Sequence, residues 1–117
     1  MGHLSTHVLD TANGRAAQGM AFELWRVQPQ GAERLLAGVT NADGRSDGAL
    51  LAGPSYLPGT YELAFMVGEY YSAIGTRQSE PPFLDVVTLR FTMADADGHY
   101  HVPLLCTPWS YTTYRGS

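Results

Sequence analysis

Apolar and polar residues alternate along most of this chain, which is the pattern of strands that bury one face. The stretches 61–67 and 87–93 show it most clearly, because nearly every second residue in each is large and apolar. Successive side chains of a strand point to opposite sides of a sheet, so a period of two predicts half-buried strands. The stretch 99–105 behaves in the same way, and we expect Tyr100, Val102 and Leu104 to lie on its core face.

Eight strands and one short helix follow from this alternation and from the turns between the alternating stretches. The predicted strands are Ser5–Thr11, Met20–Val27, Arg34–Thr40, a short segment after Arg45, Tyr61–Val67, Val87–Met93, His99–Leu105 and Tyr111–Tyr114. Residues 68–73 lack the alternation, and we expect them to form the helix. Short strands with regularly spaced turns are typical of an all-β sandwich or barrel.

Length and composition restrict the classes of protein that this chain can represent. Its 117 residues fit a single domain over residues 1–117, and its glycines and prolines are not clustered into a linker. The net charge of −4 and the absence of a Lys/Arg cluster argue against a nucleic-acid partner. No apolar run approaches the roughly 18 residues of a membrane span. Since only 15% of residues are charged, self-association is the simplest expectation for part of the surface.

The number of cysteines gives an indication of the cellular compartment. Cys106 is the only cysteine, so the chain cannot form an internal disulfide, and its apolar neighbours predict a buried structural thiol. No basic region followed by an apolar segment is visible at the start of the sequence. Both observations fit a reducing compartment, and we expect a cytoplasmic protein.

Candidate chemistry is concentrated in the four histidines, His3, His7, His99 and His101. His99 and His101 are two residues apart on a predicted strand, so they project from the same side and could ligate one zinc ion. Carboxylates and thiols at the accompanying spacing are absent, which weakens that interpretation. The histidines could also be solvated residues of a strand surface.

Acid–base catalysis is the third interpretation. Imidazole titrates near neutral pH, so a neutral histidine can take a proton from water and return it to a leaving nitrogen. Such chemistry needs a group that stabilises developing negative charge, and the guanidinium groups of Arg45 and Arg115 are candidates. Spacing alone does not choose among these three interpretations.

Five stretches that run from end to end of the chain resemble the 5-hydroxyisourate hydrolase family, also called the transthyretin-related proteins. They are Leu4-Ser5-Thr6-His7-Val8-Leu9-Asp10-Thr11, the segment from Gly19-Met20 to Leu24-Trp25, Thr40-Asn41-Ala42-Asp43-Gly44-Arg45, His99-Tyr100-His101-Val102-Pro103-Leu104-Leu105, and Tyr111 to Tyr114-Arg115-Gly116-Ser117. The terminal Tyr-Arg-Gly-Ser resembles the signature that separates these enzymes from the hormone carrier transthyretin, which shares their fold.

The resemblance implies an eight-stranded, two-sheet transthyretin-like sandwich with a short helix after the fifth strand. It implies a homotetramer whose active sites lie at the interface between dimers. The substrate would be the small molecule 5-hydroxyisourate, hydrolysed to 2-oxo-4-hydroxy-4-carboxy-5-ureidoimidazoline during urate degradation, with no metal and no cofactor. A transthyretin-type binding module without catalysis is the alternative.

The resemblance places the family's functional residues at His7, Arg45, His101 and the tail from Tyr114 to Ser117. His7 and His101 would activate the attacking water, while Arg45 would bind carbonyl oxygens of the substrate and stabilise the oxyanion. Tyr114 and Arg115 would help to bind the substrate. Ser117 would orient a histidine or the water.

Overall fold

A computed structural model describes all residues, 1–117, and contains two β-sheets packed face to face. The strands are β1 (His3–Asp10), β2 (Arg15–Ala16), β3 (Ala21–Gln28), β4 (Gly31–Val39), β5 (Leu51–Ala52), β6 (Gly59–Met66), β7 (Val86–Met93), β8 (His99–Cys106) and β9 (Tyr111–Thr113). The helix α1 (Val67–Ile74) follows β6, and residues Gly53–Ser55 form one 3-10 turn. No helix is long and apolar enough to cross a membrane.

The sheet that carries the candidate residues has the strand order β2-β1-β8-β9, and β5 pairs with the start of β1. The second sheet has the order β4-β3-β6-β7. Every pairing is antiparallel except that of β1 with β8, which are parallel neighbours from opposite ends of the chain. The all-β sandwich with one short helix is therefore confirmed.

Apart from the fourth strand, the element bounds differ from the sequence prediction by three residues at most, and the prediction lacks one strand. The pair Arg15–Ala16 adds a ninth strand to the eight predicted, because two residues are too few to show alternation. The predicted fourth strand proves to be two separate pieces. Arg45 forms an isolated bridge to His7, and the two-residue strand β5 begins only at Leu51.

The core lies between the two sheets and contains 22 buried residues. Tyr100, Val102 and Leu104 all face it, as predicted, each with 8% or less of its surface exposed. The opposite face of the first sheet therefore carries His99 and His101 away from the core. Cys106 is fully buried, which confirms the expectation of a buried thiol, and burial raises its pKa to about 11.

Helix α1 is fixed to the first sheet through the buried carboxylate of Asp10. The hydroxyls of Tyr70 and Tyr71 each donate a hydrogen bond of 2.8 Å to this carboxylate. The side-chain amide of Asn13 donates another, also at 2.8 Å. Burial opposes ionisation of Asp10, but these donors outweigh it and lower its pKa. The helix is thereby held at the end of β1 that carries Asp10, three residues beyond His7.

Candidate active site

The parallel pairing of β1 with β8 brings the four histidines onto one surface. His3 lies directly opposite His99, and Ser5 lies opposite His101. Because side chains alternate along each strand, residues 3, 5 and 7 of β1 share the outer face with residues 99, 101 and 103 of β8. The His3 and His99 rings have centroids 4.1 Å apart, and the His7 and His101 rings have centroids 6.4 Å apart.

A tight turn at residues 41–45 places Arg45 on the same surface. The side-chain oxygen of Asn41 accepts hydrogen bonds from the backbone amides of Asp43 and Arg45, at 2.9 and 3.1 Å. The amide of Val8 then donates to the carbonyl oxygen of Gly44 at 2.8 Å, which ties the turn to β1. Gly44 has φ +76, and a Cβ atom there would collide with the carbonyl oxygen of Val8, so glycine is required at this position.

The end of the chain continues along β8 after β9 has finished. The amide of Gly116 donates to the carbonyl oxygen of His101 at 2.7 Å. His101 precedes Leu104 by three residues and Gly116 follows Thr113 by three, as the antiparallel pairing of Leu104 with Thr113 requires. The tail therefore remains in the β8–β9 register. This pairing brings Ser117 to the candidate site.

A polar pocket of about 320 Å³ lies on this surface. It is lined by His3, Ser5, Arg45, His99, Tyr100, His101 and Ser117. The residues come from β1, β8, the turn before β5 and the end of the chain, which are distant in sequence. His7 lies beside His101 but is not among the lining residues.

The hydrogen bonds of the two central imidazoles define which ring nitrogens are free. His7 Nε2 lies 2.9 Å from the carbonyl oxygen of Asp43. A carbonyl oxygen can only accept, so Nε2 of His7 carries the proton and Nδ1 has the free lone pair of the neutral ring. His101 Nδ1 lies 2.8 Å from the hydroxyl oxygen of Ser5, which leaves His101 Nε2 without a partner in the chain.

The surroundings of His101 disfavour the charged form of its imidazole ring. Burial lowers its pKa, and the positive charge of Arg45 and the rings of His7 and His3 lower it further. The ring is therefore neutral at pH 7. A neutral imidazole with a free nitrogen in a pocket is able to accept a proton from water.

The structure brings together four of the six predicted site residues. His7, Arg45, His101 and Ser117 lie at one surface, whereas Tyr114 and Arg115 line a different pocket of about 240 Å³ that also contacts β7. The Arg115 guanidinium lies over the ring of Tyr100, with its carbon 4.2 Å from the ring centroid. The assignment of Tyr114 and Arg115 to substrate binding stays a prediction, which this placement does not favour.

Sequence reasoning did not identify Ser5, and it gave His3 and His99 no catalytic part. Ser5 looks like an ordinary polar residue of an alternating strand, and its contact with His101 depends on a pairing across 96 residues of sequence. Only the register of β1 against β8 could have revealed it. Side chains of His, Cys, Asp and Glu do not form any group of three that could hold a metal ion.

Comparison with known proteins gives a consistent result. A sequence model of the HIUase/transthyretin family matches residues 4–116. The 5-hydroxyisourate hydrolase of Pseudomonas aeruginosa is 53% identical to this chain over 117 residues, which is all of this chain and 93% of that protein.

Solved structures agree with the sandwich. The crystal structure of an (S)-allantoin synthase has a TM-score of 0.94 and 48% identity over 99% of this chain, which corresponds to 44% of that longer chain. Transthyretin from Sparus aurata has a TM-score of 0.85 and 28% identity, and covers 97% of this chain and 95% of its own.

Proposed function

Because this chain belongs to the HIUase/transthyretin family, we propose that it hydrolyses 5-hydroxyisourate to 2-oxo-4-hydroxy-4-carboxy-5-ureidoimidazoline in urate degradation. The observation that carries the proposal is the convergence of His7, Arg45, His101 and Ser117 from four parts of the chain on one polar surface. A flat heterocycle with several carbonyl oxygens is well matched to such donors.

His101 is the residue that activates the attacking water in this mechanism. Its free Nε2 takes a proton while the water oxygen forms a bond to the ring carbonyl carbon. The adjoining C–N bond then breaks, and the imidazolium returns the proton to the leaving nitrogen. Such acid–base assistance contributes about 10² to 10⁴ in rate. The lowered pKa of His101 keeps it in the proton-accepting form at neutral pH.

His7 helps to place the water. With ring centroids 6.4 Å apart, the two imidazoles can both hydrogen-bond to one water molecule between them. The His7 Nε2–H is occupied by the carbonyl of Asp43, so its Nδ1 is the nitrogen available to accept from that water. The hydrogen bonds that Asn41 accepts from the amides of Asp43 and Arg45 hold this carbonyl in place.

Arg45 binds the carbonyl oxygen that is attacked and stabilises the negative charge that develops on it. Guanidinium keeps its charge at all relevant pH values and donates in a fixed planar geometry. Removal of one such donor in other hydrolases costs about 3 kcal/mol of transition-state stabilisation. Ser117 lies in the same pocket and orients the water or the His101 ring.

The mechanism uses no metal and no cofactor, since water activation and charge stabilisation are both supplied by side chains. Incubation with a chelator followed by dialysis tests this point. Activity that is unchanged supports the mechanism, whereas loss of activity that zinc restores would favour the metal interpretation of His99 and His101.

The working assembly in this proposal is a cytoplasmic homotetramer with the active sites at the interface between dimers. The site lies on the outer face of a sheet, with Arg45 and Ser117 exposed in the single chain, so a second subunit would exclude water from it. The edge strands β7 and β9 are also free to pair. Light scattering during size-exclusion chromatography gives the mass, and a fully active monomer would contradict the interface site.

A transthyretin-type binding module is the alternative, because carriers and hydrolases share this sandwich. The polar pocket and the 53% identity to a hydrolase, against 28% to the Sparus aurata transthyretin, favour hydrolysis. Thyroid-hormone binding without turnover would favour the alternative.

The decisive experiment generates 5-hydroxyisourate in situ from urate and urate oxidase and records its ultraviolet absorbance. We expect this protein to accelerate the decay of the absorbance above the spontaneous rate in proportion to its concentration. A decay rate that does not depend on the protein would overturn the proposal.

A further inference from the structure

Arg115 stands out because it is charged and exposed, yet it is held against an aromatic ring and not against an acid. Its guanidinium carbon lies 4.2 Å from the centroid of the Tyr100 ring, and no salt bridge involves it. A guanidinium over an aromatic face is stabilised by the negative potential of the ring. The contact therefore links the C-terminal tail to β8 through side chains.

The ring of Tyr100 is a fixed platform. It is buried to 8% exposure in the core cluster, and its hydroxyl accepts hydrogen bonds from the backbone amides of Ala94 and Asp95, both at 3.1 Å. A side chain that rests on this ring is held relative to the whole sandwich. Tyr100 also lines both the polar pocket and the pocket that contains Arg115.

The tail beyond Arg115 has little else to hold it. Strand β9 ends at Thr113, and the only backbone bond after it joins Gly116 to His101. The Ser117 side chain has no hydrogen-bond partner within the chain. Arg115 lies directly before this short pairing, at the point where the tail would otherwise separate from β8.

We infer that Arg115 is a positioning residue, which clamps the tail on Tyr100 so that Gly116 pairs with His101 and Ser117 stays in the polar pocket. This inference rests on the proposed function for its kinetic consequence, but the clamp itself does not depend on turnover. It replaces the direct contact between Arg115 and the substrate that the sequence suggested. In this role the charge acts on an aromatic ring of the protein.

Hydrogen exchange at the Gly116 amide tests the clamp without any substrate. Since an exposed cation–π contact is worth a two- to fivefold change in an equilibrium, Arg115→Met is expected to accelerate exchange at Gly116 by about that factor. Amides in the middle of β6 should exchange as before. Arg90→Met is the matched control, because Arg90 lines the same pocket but pairs with Glu62 at 2.9 Å.

Kinetics in a shortened chain distinguish positioning from substrate contact. In the full chain, Arg115→Met is expected to lower kcat/KM about two- to fivefold, with Arg115→Lys retaining part of the activity. In a chain without Gly116 and Ser117, the same substitution should have no further effect, because no tail is left to position. If the deletion removes all activity, the effect of Arg115→Met on kcat/KM is measured in a Ser117→Ala chain in place of the shortened chain.

Two results would overturn the inference. One is unchanged exchange at Gly116 in Arg115→Met, and the other is an equal loss of kcat/KM in the full and shortened chains. If the wild-type chain has no hydrolase activity, the proposed function fails, while the exchange experiment still decides whether the clamp exists.

Discussion

Gly116 is packed so closely against His101 that no other residue fits without moving the ring. Its amide donates to the carbonyl oxygen of His101 at 2.7 Å, and a Cβ atom at position 116 would lie 2.6 Å from Cδ2 of His101. Atoms Cβ and Cγ of His101 would both lie at 3.2 Å, so a rotation of the ring alone does not relieve the contact. The tail therefore restricts the orientation of the proposed base.

Gly116→Ala is expected to displace the His101 ring and weaken its bond to Ser5. We predict a fall in kcat of at least tenfold with little change in melting temperature, since position 116 lies outside the apolar core. Steady-state kinetics and thermal denaturation measure the two effects. Thr112→Ala, on an exposed position of the neighbouring strand, is the control and should retain full activity. Wild-type kcat in Gly116→Ala would show that the ring tolerates the added methyl group.

The charge of Arg45 is one cause of the lowered pKa of His101, after burial. Arg45→Met is expected to raise that pKa toward the ordinary value of about 6.5, although the contribution of burial remains. Titration of the ring carbons by NMR measures the shift directly and needs no activity. Arg34→Met is the control, because Arg34 lies on β4 in the other sheet and pairs with Glu23. An unchanged His101 pKa would mean that Arg45 does not act on this ring.

The sign of this shift also fixes the pH dependence of stability. The folded chain binds a proton at His101 less readily than the unfolded chain does, so acidification favours unfolding. Stability attributable to His101 is complete above about pH 6.5 and declines as the pH falls toward the lowered pKa of the folded state. Denaturant titrations at several pH values should show less of this decline in Arg45→Met than in the wild type.

The sandwich could be predicted from the sequence because the alternation that indicates each strand involves only residues close together in the chain. Alternation placed the core face of β8 correctly at Tyr100, Val102 and Leu104, and the break after residue 67 located the helix. Strand β2 was missed because its pairing with Leu9 and Asp10 is imposed by the turn between them and leaves no periodic signal in two residues.

The site could be predicted only in part because its geometry is non-local. The sequence shows His99 and His101 on one side of a strand, but the pairing of Ser5 with His101 joins opposite ends of the chain. The resemblance identified His7 and Arg45, yet it could not show that Arg115 turns toward Tyr100. The direction of each tail side chain depends on the β8–β9 register, which exists only after folding.

Substitution of the two central histidines, His7 and His101, should lower kcat more than substitution of the two outer ones, His3 and His99. His7→Asn and His101→Asn are each expected to lower kcat by about 10² or more. Asparagine at position 101 cannot accept and return a proton at neutral pH, and asparagine at position 7 lacks the ring nitrogen that accepts a hydrogen bond from the attacking water. Melting temperatures should change little, since both side chains are half-buried on the outer face.

His3→Asn and His99→Asn provide the comparison on the same surface. Both residues line the pocket but have no assigned part in proton transfer, so their kcat should fall less than tenfold. Equal losses of kcat in all four variants would mean that the four histidines act alike and that His7 and His101 have no special role. Wild-type rates in His7→Asn and His101→Asn would end the acid–base mechanism.

Asp10→Asn tests how the helix is held beside the catalytic strand. The carboxylate is fully buried and accepts hydrogen bonds from Tyr70, Tyr71 and the side chain of Asn13. In Asp10→Asn the new NH2 group is itself a donor, so at least one of these three donors loses its acceptor. We expect the free energy of unfolding at pH 7 to fall by about 3 kcal/mol. Urea denaturation measures the loss, and Asp97→Asn, at an exposed carboxylate, should cause little change.

Acid should remove the difference between the wild type and Asp10→Asn. The donors lower the pKa of Asp10 in the folded state, so its stabilising contribution is present above the unfolded value of about 3.9 and disappears as the pH falls through the folded pKa. Below that point the wild-type carboxyl is protonated and, like the amide, no longer accepts from every donor around it. The two unfolding free energies should therefore converge at low pH. A difference that persists once the folded carboxyl is protonated would mean that Asp10 stabilises the fold by its shape and not by its charge.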